Sequence, residues 1–405
     1  MSINKRENLV GRAMANNPRF AYLPDHDRYL AAKEQPRYKF NVIGTGIIGQ
    51  EHINITYLEG RACIHGVYDP NPRSVAVAQG LQARWGGQEL VIYESLAEAC
   101  NDPAVDGLII STPNYTHLDV VRVAAESGKH ILLEKPLATN VQDAYTITQI
   151  AESYNAVFQI GLQYRYKSIS VESIYETMER QSIGNVRLIS MQEHRIPFLD
   201  KVNQWNKFAK YSGDTLVEKC CHYFDLMNLF AQARPVRVFG SGGQAVNFTE
   251  FEYAGERSDA LDNAFVVIDY ANGVRANFSL CMFAPMFYEE LVVCGDRGRL
   301  RAWEQTDFLP GGDLQSNVEV MLGESEASRR LQPAYPKWIQ DSGHNGATYY
   351  EHVYFVDNIE GKLTTTASAR EGLWSVIVAS AAQESIKQGC AIDIDAYLGE
   401  MNISI

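Results

Sequence analysis

A chain of 405 residues, 46 % apolar and 21 % charged, is longer than one hydrophobic core usually serves, so two domains are expected and a disordered or fibrous protein is excluded. The formal net charge of −13 would repel phosphate backbones and anionic lipid, and no run of about 18 apolar residues exists, so neither nucleic acid nor a membrane is expected as a partner. Seven scattered cysteines form no Cys-x-x-Cys pair, which argues against a disulfide framework and for a reducing, cytoplasmic setting.

Residues 1–38 are polar, interrupted by prolines and without an apolar signal core, and read as an N-terminal arm. The arm is either a disordered leader or a segment that covers Phe20, Tyr22, Leu23, Tyr29 and Leu30 on a neighbouring subunit. From Lys39 a short apolar strand leads into Gly44, Gly46 and Gly49 at G-x-G-x-x-G spacing, with Ile47 and Ile48 opening the helix that follows. The first glycine permits a tight turn, the second lets backbone approach a pyrophosphate, and the third lets helix pack on strand. The next strand ends in Asp69, twenty positions past Gly49. A carboxylate there accepts hydrogen bonds from ribose hydroxyls and repels a 2′-phosphate, which favours NAD over NADP. Arg73 could instead cover the adenine or meet a phosphate, and Asp69 could simply cap the turn before Pro70.

Strands that are apolar throughout then alternate with helices to residue 165, the pattern of a parallel sheet covered on both faces. Ligands of such sheets bind beyond the carboxyl ends of the strands, which here carry Thr112, Pro113, Asn114 and His117 after one strand and Glu134 and Lys135 after the next. The first four serve equally well as a helix-start turn. Arg165, Tyr166 and Lys167 follow where the chain passes between domains; with Arg195 they read either as a solvated hinge or as a set that binds an anionic group.

Residues 166–405 change register. Longer, alternating strands and the Asn272-Gly273 hairpin signal predict an open, mostly antiparallel sheet with helices on one face. Phe265, Val267, Phe278 and Leu280 are expected on the other face, in a sheet-to-sheet contact of a homo-oligomer, a dimer or tetramer. Residues 346–360 and 367–388 read as closing helices. His344 and His352 open the first of these, where one could line the cleft; His65, His130 and His194 read as structural. In "EKCCHYFD", residues 218–225, helical spacing puts Glu218 and His222 on one face, with Asp225 a turn further on. Adjacent cysteines beside a histidine on one helix cannot converge on an ion, so no metal is expected and Cys220 and Cys221 are assigned to the core.

In this order and at these separations, "VIGTGIIG", "YDPNP", "STPNYTH", "LLEKPLA" and "GDTLVEKCCHYFDL" resemble the Gfo/Idh/MocA family, the glucose-fructose oxidoreductase and inositol dehydrogenase relatives. The resemblance implies a Rossmann domain followed by an open-sheet α/β domain, a nicotinamide cofactor between them, and a sugar or cyclitol substrate. It makes Lys135 look like the family's catalytic lysine, often in a cis Lys-Pro bond, and His222 like its acid/base histidine. Glu218 stands where the family usually has aspartate, and Lys219, Cys220 and Cys221 where it commonly has small residues. In such a site neutral His222 takes the hydroxyl proton while Glu218 fixes its tautomer; Lys135 stabilises the alkoxide, and Glu134 orients the lysine or binds the nicotinamide ribose. Three activities follow. The first is an NAD-dependent dehydrogenase of a secondary alcohol. The second is an NAD-dependent glycosidase acting by transient C3 oxidation, with Tyr166 or Tyr223 as the further base, on an anionic glycoside such as a sulfoquinovoside. The third is a non-catalytic cofactor-binding sensor.

Overall fold

The computed structural model describes residues 35–306, 313–323, 327–362 and 366–405, so the aromatic residues expected to form a packing arm lie outside the described residues. Six strands, β1 (Tyr38–Ile43), β2 (Ala62–Tyr68), β3 (Val91–Ile92), β4 (Gly107–Ile110), β5 (His130–Glu134) and β6 (Phe158–Gly161), form one sheet in the order 3-2-1-4-5-6. Every pairing in it is parallel. Between the strands run α1 (Ile47–Glu59), α2 (Pro72–Arg84), α3 (Leu96–Asn101), α4 (His117–Glu126) and α5 (Val141–Glu152). The central strands are apolar throughout because both faces are covered: Val42, Ile109 and Leu132 enter one core, Ile43, Ile110 and Leu133 the other. Side-chain caps fix helix starts, Asn71 accepting from the Arg73 N–H and Asn140 from the Asp143 N–H. The strand order reverses between β1 and β4, and their carboxyl ends open the crevice where a ligand fits.

The second half follows through α6 (Ser168–Ile174), β7 (Val186–His194), α7 (Asp214–Glu218), α8 (Cys221–Ala231), β8 (Pro235–Gly243) and a small ribbon of β9 (Glu252–Tyr253) and β10 (Glu256–Arg257). Then come β11 (Asn263–Tyr270), β12 (Arg275–Cys281), β13 (Phe287–Gly295), β14 (Arg299–Thr306), β15 (Gln315–Met321), β16 (Arg329–Leu331), α9 (Ala347–Ile359), α10 (Ala369–Gln388) and β17 (Ile392–Asp393). Nine strands pair in the order 16-15-14-13-7-12-11-8-17, all antiparallel except β7 with β12. Asn272-Gly273 makes the predicted turn between β11 and β12, Gly273 supplying a φ of 84°. Among the described residues no helix is long and apolar enough to cross a membrane.

The expected apolar face needs correction. Phe265 stands opposite Ser279, and Phe278 opposite Val266, so the four residues divide between the two faces. Phe278 and Leu280 are buried beneath the helices, whereas Phe265 is 67 % and Val267 45 % exposed on the open face. Helix α9 returns to the first half, where Phe355 packs against Phe40 with ring centroids 5.5 Å apart and Arg61 donates to the Val353 carbonyl at 2.9 Å.

Candidate active site

The glycine loop has the shape its spacing predicts. A Cβ on Gly44 would lie 2.8 Å from the Ser111 carbonyl oxygen, and one on Gly49 would lie 2.1 Å from that of Gly44, so both positions exclude a side chain. Gly46, by contrast, faces open space. Helix α1 starts there with no side-chain cap and no acid in its first turn, leaving its N–H groups to an anion. Ile47 is exposed and Ile48 half-buried beside this cradle. Asp69 Oδ2 accepts from the Thr45 N–H at 2.7 Å and its hydroxyl at 3.1 Å, and Oδ1 from the Asn71 N–H at 2.8 Å, so this half-buried carboxylate links the end of β2 to the loop. Arg73 is exposed at the start of α2.

After β4 the side chains turn to holding loops together. Asn114 Nδ2 donates to the Ser212 carbonyl at 2.9 Å, reaching into the second half, and buried His117 sits between the carbonyls of Pro136 (2.9 Å) and Thr112 (3.1 Å). The Thr112 hydroxyl accepts from Thr116 at 2.8 Å, and Thr112 and Pro113 stay half-buried.

At the end of β5, Lys135-Pro136 is cis. Lys135 Nζ donates to the Glu218 carbonyl at 2.8 Å and to Glu218 Oε2 at 2.7 Å; Lys201 Nζ donates to Oε1 of the same carboxylate at 2.9 Å. Burial alone would raise the Glu218 pKa, but the two ammoniums outweigh it and hold it at about 2. Burial would likewise lower the Lys135 pKa, and Glu218 instead raises it, so Lys135 is a firmly held cation.

The expected single helix through 218–225 is broken. α7 ends at Glu218, the Lys219 and Cys220 N–H groups both return to the Thr215 carbonyl, and α8 begins at Cys221. The break aims Glu218 at the two lysines, not at His222. His222 stacks on Tyr164 with centroids 4.0 Å apart and planes 9° from parallel, and its buried Nδ1 has no hydrogen-bond partner. Burial, followed by the charges of Lys135, Lys219, His344 and Lys167, pushes its pKa down, so the ring is a neutral imidazole. Lys135, from the first half of the chain, bonds the Glu218 carbonyl four residues before His222, and its charge bears on that ring. Cys220 and Cys221 are buried, with burial pushing both thiols up, Cys221 to about 12.

The expected anion-binding set is mostly spent inside the protein. Arg165 makes a two-pronged pair with Asp225 (2.7 and 2.6 Å) and also meets Glu371 at 2.9 Å; Lys167 is buried between Glu289 and Glu304. The Tyr166 ring is buried against Tyr354. Arg195 keeps some exposure, 3.6 Å from Glu193 and over the Phe198 ring. Lys201 was not singled out from the sequence, and Lys219 was given no role there. Lys219 donates to the Tyr164 hydroxyl and pairs with Glu193 at 3.2 Å. Of the two histidines opening the closing helix, His344 bonds Glu51 at 2.7 Å and lies 6.3 Å from the Tyr164 ring, whereas His352 is buried against His52.

Residues 38–162 match the family model described as the NAD-binding Rossmann fold of the Gfo/Idh/MocA oxidoreductases, and residues 176–394 match its C-terminal alpha/beta domain. A myo-inositol 2-dehydrogenase of Thermotoga maritima is 22 % identical over 89 % of this chain and 100 % of its own. An inositol 2-dehydrogenase of Rhizobium meliloti is 23 % identical over 88 % and 99 %. A levoglucosan dehydrogenase solved with NADH and L-sorbose superposes with a TM-score of 0.73 at 18 % identity, covering 89 % of this chain and 99 % of that one; at this identity the likeness carries the fold alone.

Proposed function

The chain belongs to the Gfo/Idh/MocA oxidoreductase family, and from that premise we propose that it is an NAD-dependent dehydrogenase acting on a secondary alcohol of a sugar or cyclitol. The observation that carries the proposal is that the Lys135 ammonium at the tip of β5 is held on Glu218, four residues before the buried imidazole of His222 in α8. The open space at Gly46, the uncapped start of α1 and the Asp69 carboxylate fit a dinucleotide whose ribose is unphosphorylated. NAD bound there supplies the hydride acceptor. In this reading neutral His222 accepts the hydroxyl proton, and Lys135 stabilises the alkoxide as charge develops on oxygen. Glu218 and Lys201 hold Lys135 in place, the two cations sharing one carboxylate, so that the Lys135 ammonium faces the developing anion. Glu218 is therefore a partner of the lysine here rather than of the histidine. The open sheet face with Phe265 and Val267 supports assembly of copies through that sheet.

The test is to incubate the purified protein with NAD and a panel of polyols, free sugars and aryl glycosides while recording NADH absorbance and aglycone release. The proposal expects stoichiometric NADH from at least one polyol or sugar. Aglycone release without accumulating NADH would replace it by redox-neutral glycoside cleavage, and NAD binding with neither product by a sensor. For cleavage, the expected bases Tyr166 and Tyr223 are both buried, with Tyr223 hydrogen-bonded to Glu289.

A further inference from the structure

Behind the reacting end, His52 of α1, Glu134 at the end of β5 and Glu351 of α9 converge in the interior, one nitrogen or oxygen from each lying within 4.8 Å of the others. All three are buried. Two of them are wired. Glu134 Oε1 faces His52 Nε2 at 2.9 Å, Glu134 Oε2 accepts the Lys135 backbone N–H at 3.0 Å, and His52 Nδ1 meets His352 Nε2 at 2.8 Å. Glu351 is different: neither of its carboxyl oxygens has a hydrogen-bond partner, and its exposure is zero.

Among the described residues no lysine or arginine bears on Glu351, and the Nε2 of His52 in the cluster is already given to Glu134. Glu134 from β5 and Glu51 from α1 are the charges that bear on it; Tyr166 approaches from the segment after β6, and Gln159 of β6 donates to its backbone carbonyl rather than to its side chain. An ionised carboxylate here would have lost its water, gained no donor and stood against a second carboxylate. A proton removes all three conflicts. A neutral carboxyl is itself a donor, and Glu134, in the same cluster, retains lone pairs to receive it.

We propose that Glu351 is held as a carboxylic acid sharing its proton with Glu134, and is thereby a positioning residue that seats Glu134 between His52 and the Lys135 backbone. It touches neither substrate nor cofactor; it acts through Glu134 on the loop that carries Lys135. This consequence rests on the role proposed for Lys135, but the protonation does not, and its test requires no substrate. Loss of NADH formation would sink the dehydrogenase while leaving the acid in place, and the reverse holds equally.

The experiment is infrared spectroscopy of the full-length protein across the pH range. The expected result is a protonated-carboxyl stretch that persists at neutral pH, where exposed carboxylates have ionised, and disappears in Glu351→Gln. That variant keeps size and donor capacity, so its melting temperature should stay within about 3 °C of the parent, whereas Glu351→Ala should melt lower. Should Glu351→Gln fail to accumulate, Glu351→Asp keeps the acid and should shift the stretch without abolishing it. Absence of the signal at neutral pH, or its survival in Glu351→Gln, would overturn the proposal. So would one divalent metal ion per chain that co-purifies with the parent and not with Glu351→Gln, because a cation would then fill the place given to the proton.

Discussion

Lys167 is met by Glu289 and Glu304, and Arg165 by Asp225 and Glu371, whereas Lys135 and Lys201 share the single carboxylate of Glu218. In the first region each cation is met by two carboxylates. In the second, two cations bond a single carboxylate where the two halves of the chain meet, and Glu134 bears on Lys135 without a bond to its ammonium. A row of acids explains the first: Glu193 on β7 lies opposite Glu289 on β13, which lies opposite Glu304 on β14. Like charges in adjacent register repel, so this row persists only with Lys167 and Lys219 inserted against it. The lesson is that a buried cation signals a binding site when the carboxylates around it are too few.

The comparison breaks most easily at its matched side. Arg165→Ala strands Asp225 and should lower unfolding free energy by about 3–5 kcal/mol in denaturant titrations; a loss below about 1 kcal/mol would show that the pair is not the structural lock described here. Lys135→Ala should do the opposite, lowering NADH formation by about 10²–10³-fold, the scale for losing one donor to a developing oxyanion, while NAD affinity is kept. Glu218 sharpens the contrast through pH. Its folded pKa of about 2 lies below the ordinary 4.5, so it contributes stability that is fully present above about pH 4.5 and lost as pH falls toward 2. That contribution is on the order of 3 kcal/mol, and Glu218→Gln should flatten the acid limb of stability measured by denaturant titration at successive pH values. Smallest is Lys201→Ala: the side chain is a quarter exposed, so stability should change by less than about 1 kcal/mol, with turnover reduced less than in Lys135→Ala.

Much of this was legible in the sequence. Gly44 and Gly49 leave no room for a side chain, Gly49 against the nearby Gly44 carbonyl and Gly44 against Ser111 of the neighbouring strand end, and Asn272-Gly273 fixes a turn locally through the positive φ of Gly273. Lys135 and His222 were named through family resemblance, and Lys135 Nζ bonds the carbonyl of Glu218, four residues before His222. Their partners were not. Helical spacing alone put Glu218 beside His222, because nothing local announced the break at Lys219 and Cys220. The partners of Arg165 and Lys167 all lie 60 or more residues away along the chain. A signal did exist: Glu289 is in phase with core-facing Leu291 and Val293, and Glu304 with Leu300 and Ala302, and an acid at a core position requires a cation to meet it. His52 and Glu351 carried no such sign, since each stands on a helix whose other residues include ordinary core and surface positions.

The central claim is that Lys135 and His222 act on the same alcohol. Its most direct test is a single turnover with saturating NAD and a substrate found in the panel, run on the parent, Lys135→Ala and His222→Ala after NAD affinity has been measured for each. The account predicts near-equal affinities, a stoichiometric burst of NADH in the parent, and a burst slowed by about 10²–10⁴-fold in each variant. A burst of parental rate in either variant, or a parent that binds no NAD, would contradict it.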